Sequence, residues 1–149
     1  MNAATLMTPF GPVTLRELGG RIAALDWRED PGEGSVLLTD AITQLAAYFG
    51  HRLTRFDLPI AFASGLTGDV QRQMMAIPMG ETRTYGQIAK LTGASAQAVG
   101  QACGANPLPI IVPCHRILGA ATLGGFSAPG GVDSKIWLLR HEGAAGLLL

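Results

Sequence analysis

Hydrophobic and polar positions alternate through the first thirty residues with the two-residue period of half-buried strands. Three runs carry the pattern: Ala4-Thr5-Leu6-Met7, residues 13–18 and residues 21–27. Gly19-Gly20 separates the last two and predicts a tight hairpin turn. The Asp-Pro-Gly-Glu-Gly stretch at 30–34 predicts a loop. From residue 36 to 49 the period lengthens to that of a helix. Leu37, Ile42, Leu45, Ala46 and Phe49 fall on or near one face, and Gly50 follows as a stop. A short extended piece at 56–60 completes this part. It gathers no chemically active side chains and reads as a scaffold.

Beyond Gly65 the texture is helical, with predicted helices at 67–76, 84–91, 95–103 and 135–141. Gly93 ends the second, and Gly104-Ala105-Asn106-Pro107 ends the third. Two short helices joined by a tight glycine-containing turn form a helix-turn-helix pattern. Ala96, Ala98, Gly100 and Ala102 keep its second helix slim enough to press against another surface. Ile110-Ile111-Val112 is a β-prone apolar run and predicts a buried extended segment. Pro113 cannot continue a sheet ladder, so it ends that segment. The pattern divides the chain into an N-terminal α/β lobe, residues 1–64, and a mostly helical C-terminal lobe, residues 65–149. The fold class is α/β, of the α+β kind.

Composition narrows the class. Apolar residues make up 48% and charged ones 15%, as in a globular protein rather than a disordered one. No apolar run approaches the roughly 18 residues that span a bilayer. Met1-Asn2-Ala3-Ala4-Thr5 lacks the basic start and apolar core of a signal peptide, so a cytoplasmic location is expected. In that compartment Cys103 and Cys114 are expected to stay unpaired. Neither they nor His51, His115 and His141 have the spacing of a zinc site, so no metal and no cofactor is expected. The formal net charge is zero, yet its distribution is uneven. Residues 1–69 hold five arginines against eight acids, and residues 70–149 hold six basic residues against three acids. The C-terminal half therefore suits a polyanionic partner better.

The strongest chemical signal is Pro113-Cys114-His115-Arg116. A thiol on a rigid turn, beside an imidazole and a guanidinium, is placed to ionise. Around it lie Ile77-Pro78-Met79-Gly80-Glu81-Thr82, Thr84-Tyr85-Gly86-Gln87-Ile88-Ala89, Ala98-Val99-Gly100, Asn106-Pro107 and Leu138-Leu139-Arg140-His141-Glu142-Gly143. In order and spacing, over nearly half the chain, these stretches resemble the O6-alkylguanine-DNA alkyltransferases, the methylated-DNA–protein-cysteine methyltransferases.

The resemblance implies repair of O6-alkylguanine in double-stranded DNA by transfer of the alkyl group to a cysteine, once per molecule, by a monomer. Cys114 would be the nucleophile, His115 its base through a water, and Glu142 the carboxylate that orients the histidine. Asn106 would brace the turn, and Tyr85 would donate toward the leaving guanine. The target nucleotide would be flipped out into a pocket formed by Cys103, Val112, Ile117, Phe126 and Ser127. Thr84, Tyr85, Ala96, Gln97, Ala98, Gly100 and Gln101 would meet the minor groove. Arg116 would serve structure, joining the two lobes. The chain departs from the family pattern in three places. Gln97 stands where an arginine usually fills the space left by the flipped base. Phe126 replaces the common tyrosine. The interval from Phe126 to Lys135 is about two residues longer, which alters the pocket lip.

Other classes fit less well. A non-catalytic alkyltransferase-like lesion sensor typically lacks the cysteine that is present here. A helix-turn-helix regulator needs base-reading side chains that residues 96–103 scarcely offer. A cysteine hydrolase needs an oxyanion-hole signature, and none is evident.

Overall fold

The structure, a computed structural model, describes residues 2–144. The chain separates into two compact units, Met1–Ala61 and Phe62–Leu149.

In the first unit, β1 (Ala3–Thr8), β2 (Gly11–Leu18) and β3 (Arg21–Asp26) form an antiparallel sheet in chain order. Gly19 and Gly20 both take positive φ, 59° and 75°, as a two-residue hairpin with the twist of its strands requires. Helix α1 (Val36–Phe49) lies across the three strands. Its N-cap Ser35 accepts the Leu38 N–H at 3.0 Å and hydrogen-bonds Glu17 of β2, which fixes the helix start to the sheet. The buried stripe is Leu38, Ala41, Leu45 and Tyr48, so the helix is rotated from the face read in the sequence. Leu37, Ile42, Ala46 and Phe49 only flank it, half-buried. Val13, Leu15, Ile22 and Leu25 complete this core. The extended piece at 56–60 contributes one isolated bridge, Ile60 to Ile22.

In the second unit, α2 (Gly65–Met75), α3 (Tyr85–Thr92) and α4 (Ala96–Gly104) pack on one another. Strand β4 (Arg83–Thr84) runs parallel to β5 (Ile117–Leu118), and α5 (Val132–His141) closes the unit. Local chemistry sets the helix-turn-helix. Thr84 and Gln87 form a reciprocal capping box at the start of α3, Gly93 ends it at φ 71°, and Ser95 caps α4. Two predicted helices start earlier than expected, α2 at Gly65 and α5 at Val132.

Residues 110–112 are buried as expected but do not form a strand. Ile110 takes φ 73°, and the Val112 N–H bonds the Leu108 carbonyl at 2.9 Å. Prolines at 109 and 113 bracket this short run and deny it a ladder, so it turns inward and buries its side chains without pairing. The strand comes after the Cys-His-Arg turn, not before it. Among the described residues no helix is long and apolar enough to cross a membrane.

Candidate active site

The turn that follows residues 110–112 carries the thiol. Cys114–Arg116 forms a single 3-10 turn that leads into β5. Asn106 braces it: its Nδ2 donates to the Val112 carbonyl at 2.9 Å. Asn106 is held in turn by Gln71, a fully buried α2 residue whose Nε2 donates to Asn106 Oδ1 at 3.3 Å. Gln71 Oε1 accepts the Ala63 N–H at 2.8 Å. Sequence reasoning missed Gln71, because a glutamine on a helix is ordinarily a solvated residue.

His115 is fully buried and its Nε2 lies 2.6 Å from Glu142 Oε2. Arg116 grips the same carboxylate twice, Nε to Oε1 at 2.8 Å and Nη2 to Oε2 at 3.1 Å. Burial would raise the Glu142 carboxyl, but His115 and Arg116 outweigh it and hold it at about 2. Burial, aided by Arg116 and Lys135, lowers His115 and outweighs the opposing pull of Glu142, so the imidazole is neutral near pH 7. An ionised carboxylate only accepts, so the ring hydrogen sits on Nε2 and Nδ1 is a bare lone pair. Nδ1 is buried and has no hydrogen-bond partner among the described residues. The resemblance implies that Arg116 joins the two lobes. Its guanidinium bonds instead lie inside the second unit, on Glu142 and, at 2.6 Å, on the Ile77 carbonyl.

Cys114 itself rests as a thiol. Burial pushes its pKa up, against the pull of the Asn106 bond, of Lys135 and of nearby backbone N–H groups. Adjacency to His115 and Arg116 therefore does not ionise it, contrary to the sequence expectation, because burial outweighs the groups that favour the thiolate.

Cys114 opens onto a cavity of about 260 Å³. Tyr85, Cys103, Phe126 and Ser127 line it, with Gly100 and Gly104 of α4 and the backbone of Gly125. Of the expected pocket residues, Val112 and Ile117 do not line it. Both are fully buried beneath, and they contribute carbonyls, to Asn106 and to Lys135 respectively. Burial raises the Tyr85 phenol, so it keeps its proton as a donor. Gly124 lets the phenol approach: at φ 72°, a Cβ there would lie 2.5 Å from the Tyr85 hydroxyl.

Lys135 is the other residue missed. It is completely buried, donates to the Ile117 carbonyl at 2.7 Å and to the Gly125 carbonyl at 3.2 Å, and so ties the pocket loop to β5. Burial brings its pKa down to about 8, while Cys114 and Cys103 oppose that. Ala96, Gln97 and Gln101 are exposed along α4, and Thr84 and Ala98 are half-buried. No group of three His, Cys, Asp or Glu side chains among the described residues is placed to hold a metal. A larger open hollow at the start of α1, lined by Ser35, Val36 and Asp40 among others, has no thiol, imidazole or amine.

The chain is similar to known proteins over nearly its whole length. Residues 66–144 match the 6-O-methylguanine DNA methyltransferase DNA-binding domain, and residues 1–62 match the ribonuclease-like domain of the same proteins. The methylated-DNA–protein-cysteine methyltransferase of Mycobacterium tuberculosis is 40% identical over 154 aligned residues, covering 93% of this chain and 90% of that one. Its Mycobacterium leprae counterpart is 35% identical, covering 95% and 92%. A crystal structure of Mycobacterium tuberculosis OGT in complex with DNA superposes with a TM-score of 0.84 at 38% identity, over 97% of this chain and 94% of that chain. The chain belongs to the 6-O-methylguanine DNA methyltransferase family and is a methylated-DNA–protein-cysteine methyltransferase, a DNA-repair enzyme that transfers an alkyl group.

Proposed function

We propose that Cys114 accepts the alkyl group of O6-alkylguanine in duplex DNA, once per molecule and irreversibly. The protein would act as a cytoplasmic monomer, with the damaged nucleotide turned out of the duplex into the Cys114 cavity. One observation carries this reading: a thiol on the wall of a cavity, beside a neutral imidazole whose Nε2 is locked to a carboxylate and whose Nδ1 is unpartnered.

An O6-alkyl carbon is an unactivated ether carbon, and thiolate is the strongest soft nucleophile a protein has. His115 Nδ1 takes the Cys114 proton through a water, and Glu142 stabilises the imidazolium that results. The sulfur then attacks the alkyl carbon, the carbon–oxygen bond breaks, and the electron pair leaves on guanine. Tyr85 donates toward that developing charge, and Asn106 keeps the turn in place. The thioether has no leaving group good enough for return, so the protein is spent. Phe126 and Ser127 hold the extruded base.

The α3–α4 pair supplies the DNA face. The slim surface of Ala96, Ala98 and Gly100 suits the minor groove, with Thr84, Gln97 and Gln101 as polar contacts. Gln97 in place of a cation is the one feature that favours a lesion sensor. The test is to compare the protein with Cys114→Ser on a duplex carrying one O6-methylguanine. The protein is expected to remove one lesion per molecule. The variant should bind the duplex and leave the lesion intact. Lesion removal by the variant, or binding without removal by the unaltered protein, defeats the proposal.

A further inference from the structure

The cavity holds a second thiol that the repair step does not use. Cys103 stands on the last turn of α4, and Cys114 stands on the 3-10 turn; both are unpaired, half-buried and on the wall of the same 260 Å³ space. Asn106 spans the interval between them. Its backbone N–H bonds the Cys103 carbonyl at 3.2 Å, and its side chain bonds the carbonyl of Val112, two residues before Cys114, at 2.9 Å. Gly104, beside Cys103, has open space where a side chain would stand, which leaves the end of α4 room to adjust. Burial first, then the neighbouring Cys114, pushes Cys103 up to about 12, so it waits as a protonated thiol. Cys114 is the sulfur with a base beside it. Two thiols on the wall of a single cavity are the two parts of a peroxide-driven disulfide site.

Resting on the reading of Cys114 as the reactive nucleophile, we infer that Cys103 captures peroxide-oxidised Cys114 in a reversible Cys103–Cys114 disulfide, a modification that closes the cavity and saves the repair thiol from irreversible oxidation. The co-reactant is a hydroperoxide. Cys114 sulfur attacks its terminal oxygen, the oxygen–oxygen bond breaks, and a sulfenic acid and an alcohol (water, for hydrogen peroxide) form. Cys103 sulfur then attacks the sulfenic sulfur. The sulfur–oxygen bond breaks, and the departing hydroxide leaves as water with the Cys103 proton. Two thiols lose two electrons and the peroxide gains them.

The test treats the protein with hydrogen peroxide, blocks remaining thiols and digests with trypsin. Residues 91–116 form one fragment that contains both cysteines. It should come out lighter by two hydrogens, and a dithiol reductant should restore both its mass and methyl acceptance. In Cys103→Ser, measured against its own untreated activity, peroxide should add oxygens to Cys114 and the loss should be permanent. Oxygens on Cys114 of the unaltered protein without a bridge overturn the inference, as does equal recovery in both proteins. Methyl acceptance by untreated protein separates the two claims. Acceptance without a bridge sinks only the disulfide, and a bridge without acceptance sinks only the repair reading.

Discussion

A histidine buried as completely as His115 is held neutral by desolvation, and the carboxylate at its Nε2 decides which nitrogen keeps the hydrogen. Glu142 is therefore the residue on which the site's geometry turns, and its titration is readable as stability. Its folded pKa of about 2 lies below the ordinary 4.5. A depressed carboxyl stabilises the fold above the unfolded value and loses that contribution as pH falls through the folded one. Thermal melts of the unaltered protein should thus weaken between pH 4.5 and about 2, and Glu142→Gln should be less stable at neutral pH and flatter across that window. Parallel curves would show that the carboxylate contributes nothing. At the same scale, Gly124→Ala should push the Tyr85 hydroxyl aside and strain a left-handed residue by about 1–2 kcal/mol. Its methyl-transfer rate should fall to that of Tyr85→Phe while DNA affinity holds. A rate equal to that of the unaltered protein would remove Tyr85 from the proton path.

Among the elements, the helix-turn-helix was legible because its boundaries are written in side chains. Thr84 and Gln87 cap one end of α3, Gly93 the other, and Ser95 opens α4. The hairpin at Gly19-Gly20 was legible for the same reason. Residues 110–112 were not, because β-propensity describes a fit to a pleated surface and no partner strand is offered there. Val112 and Ile117, which the resemblance placed in the pocket, lie fully buried and outside its lining. Lys135 and Gln71 escaped notice because residue type predicts exposure for both, and only the folded chain shows what surrounds them. Gln97 lies exposed on α4, where a cation would meet the DNA partner directly. Gln97→Arg should tighten binding and speed transfer by about 1–3 kcal/mol, the scale of a charged hydrogen bond. Titration of lesion duplex and single-turnover kinetics measure both, and no gain in either removes Gln97 from the DNA face.

For the whole molecule, the alternating first sixty residues and the helical remainder predicted two parts, with a boundary at 64/65. The chain divides at 61/62. The excess of basic residues after position 69 agrees with an anionic partner, but charge alone named no chemistry. Chemistry came from the Pro-Cys-His-Arg motif and the stretches around it, and the structure added Lys135 and Gln71, which composition and spacing leave dark. Consumption of Cys114 in repairing DNA is read out by incubating the protein with excess duplex carrying O6-methylguanine, followed by mass spectrometry of the 91–116 fragment. One methyl per molecule is expected, on Cys114 and not on Cys103. An unmodified fragment from protein that binds the duplex, or a methyl found on Cys103, would contradict it.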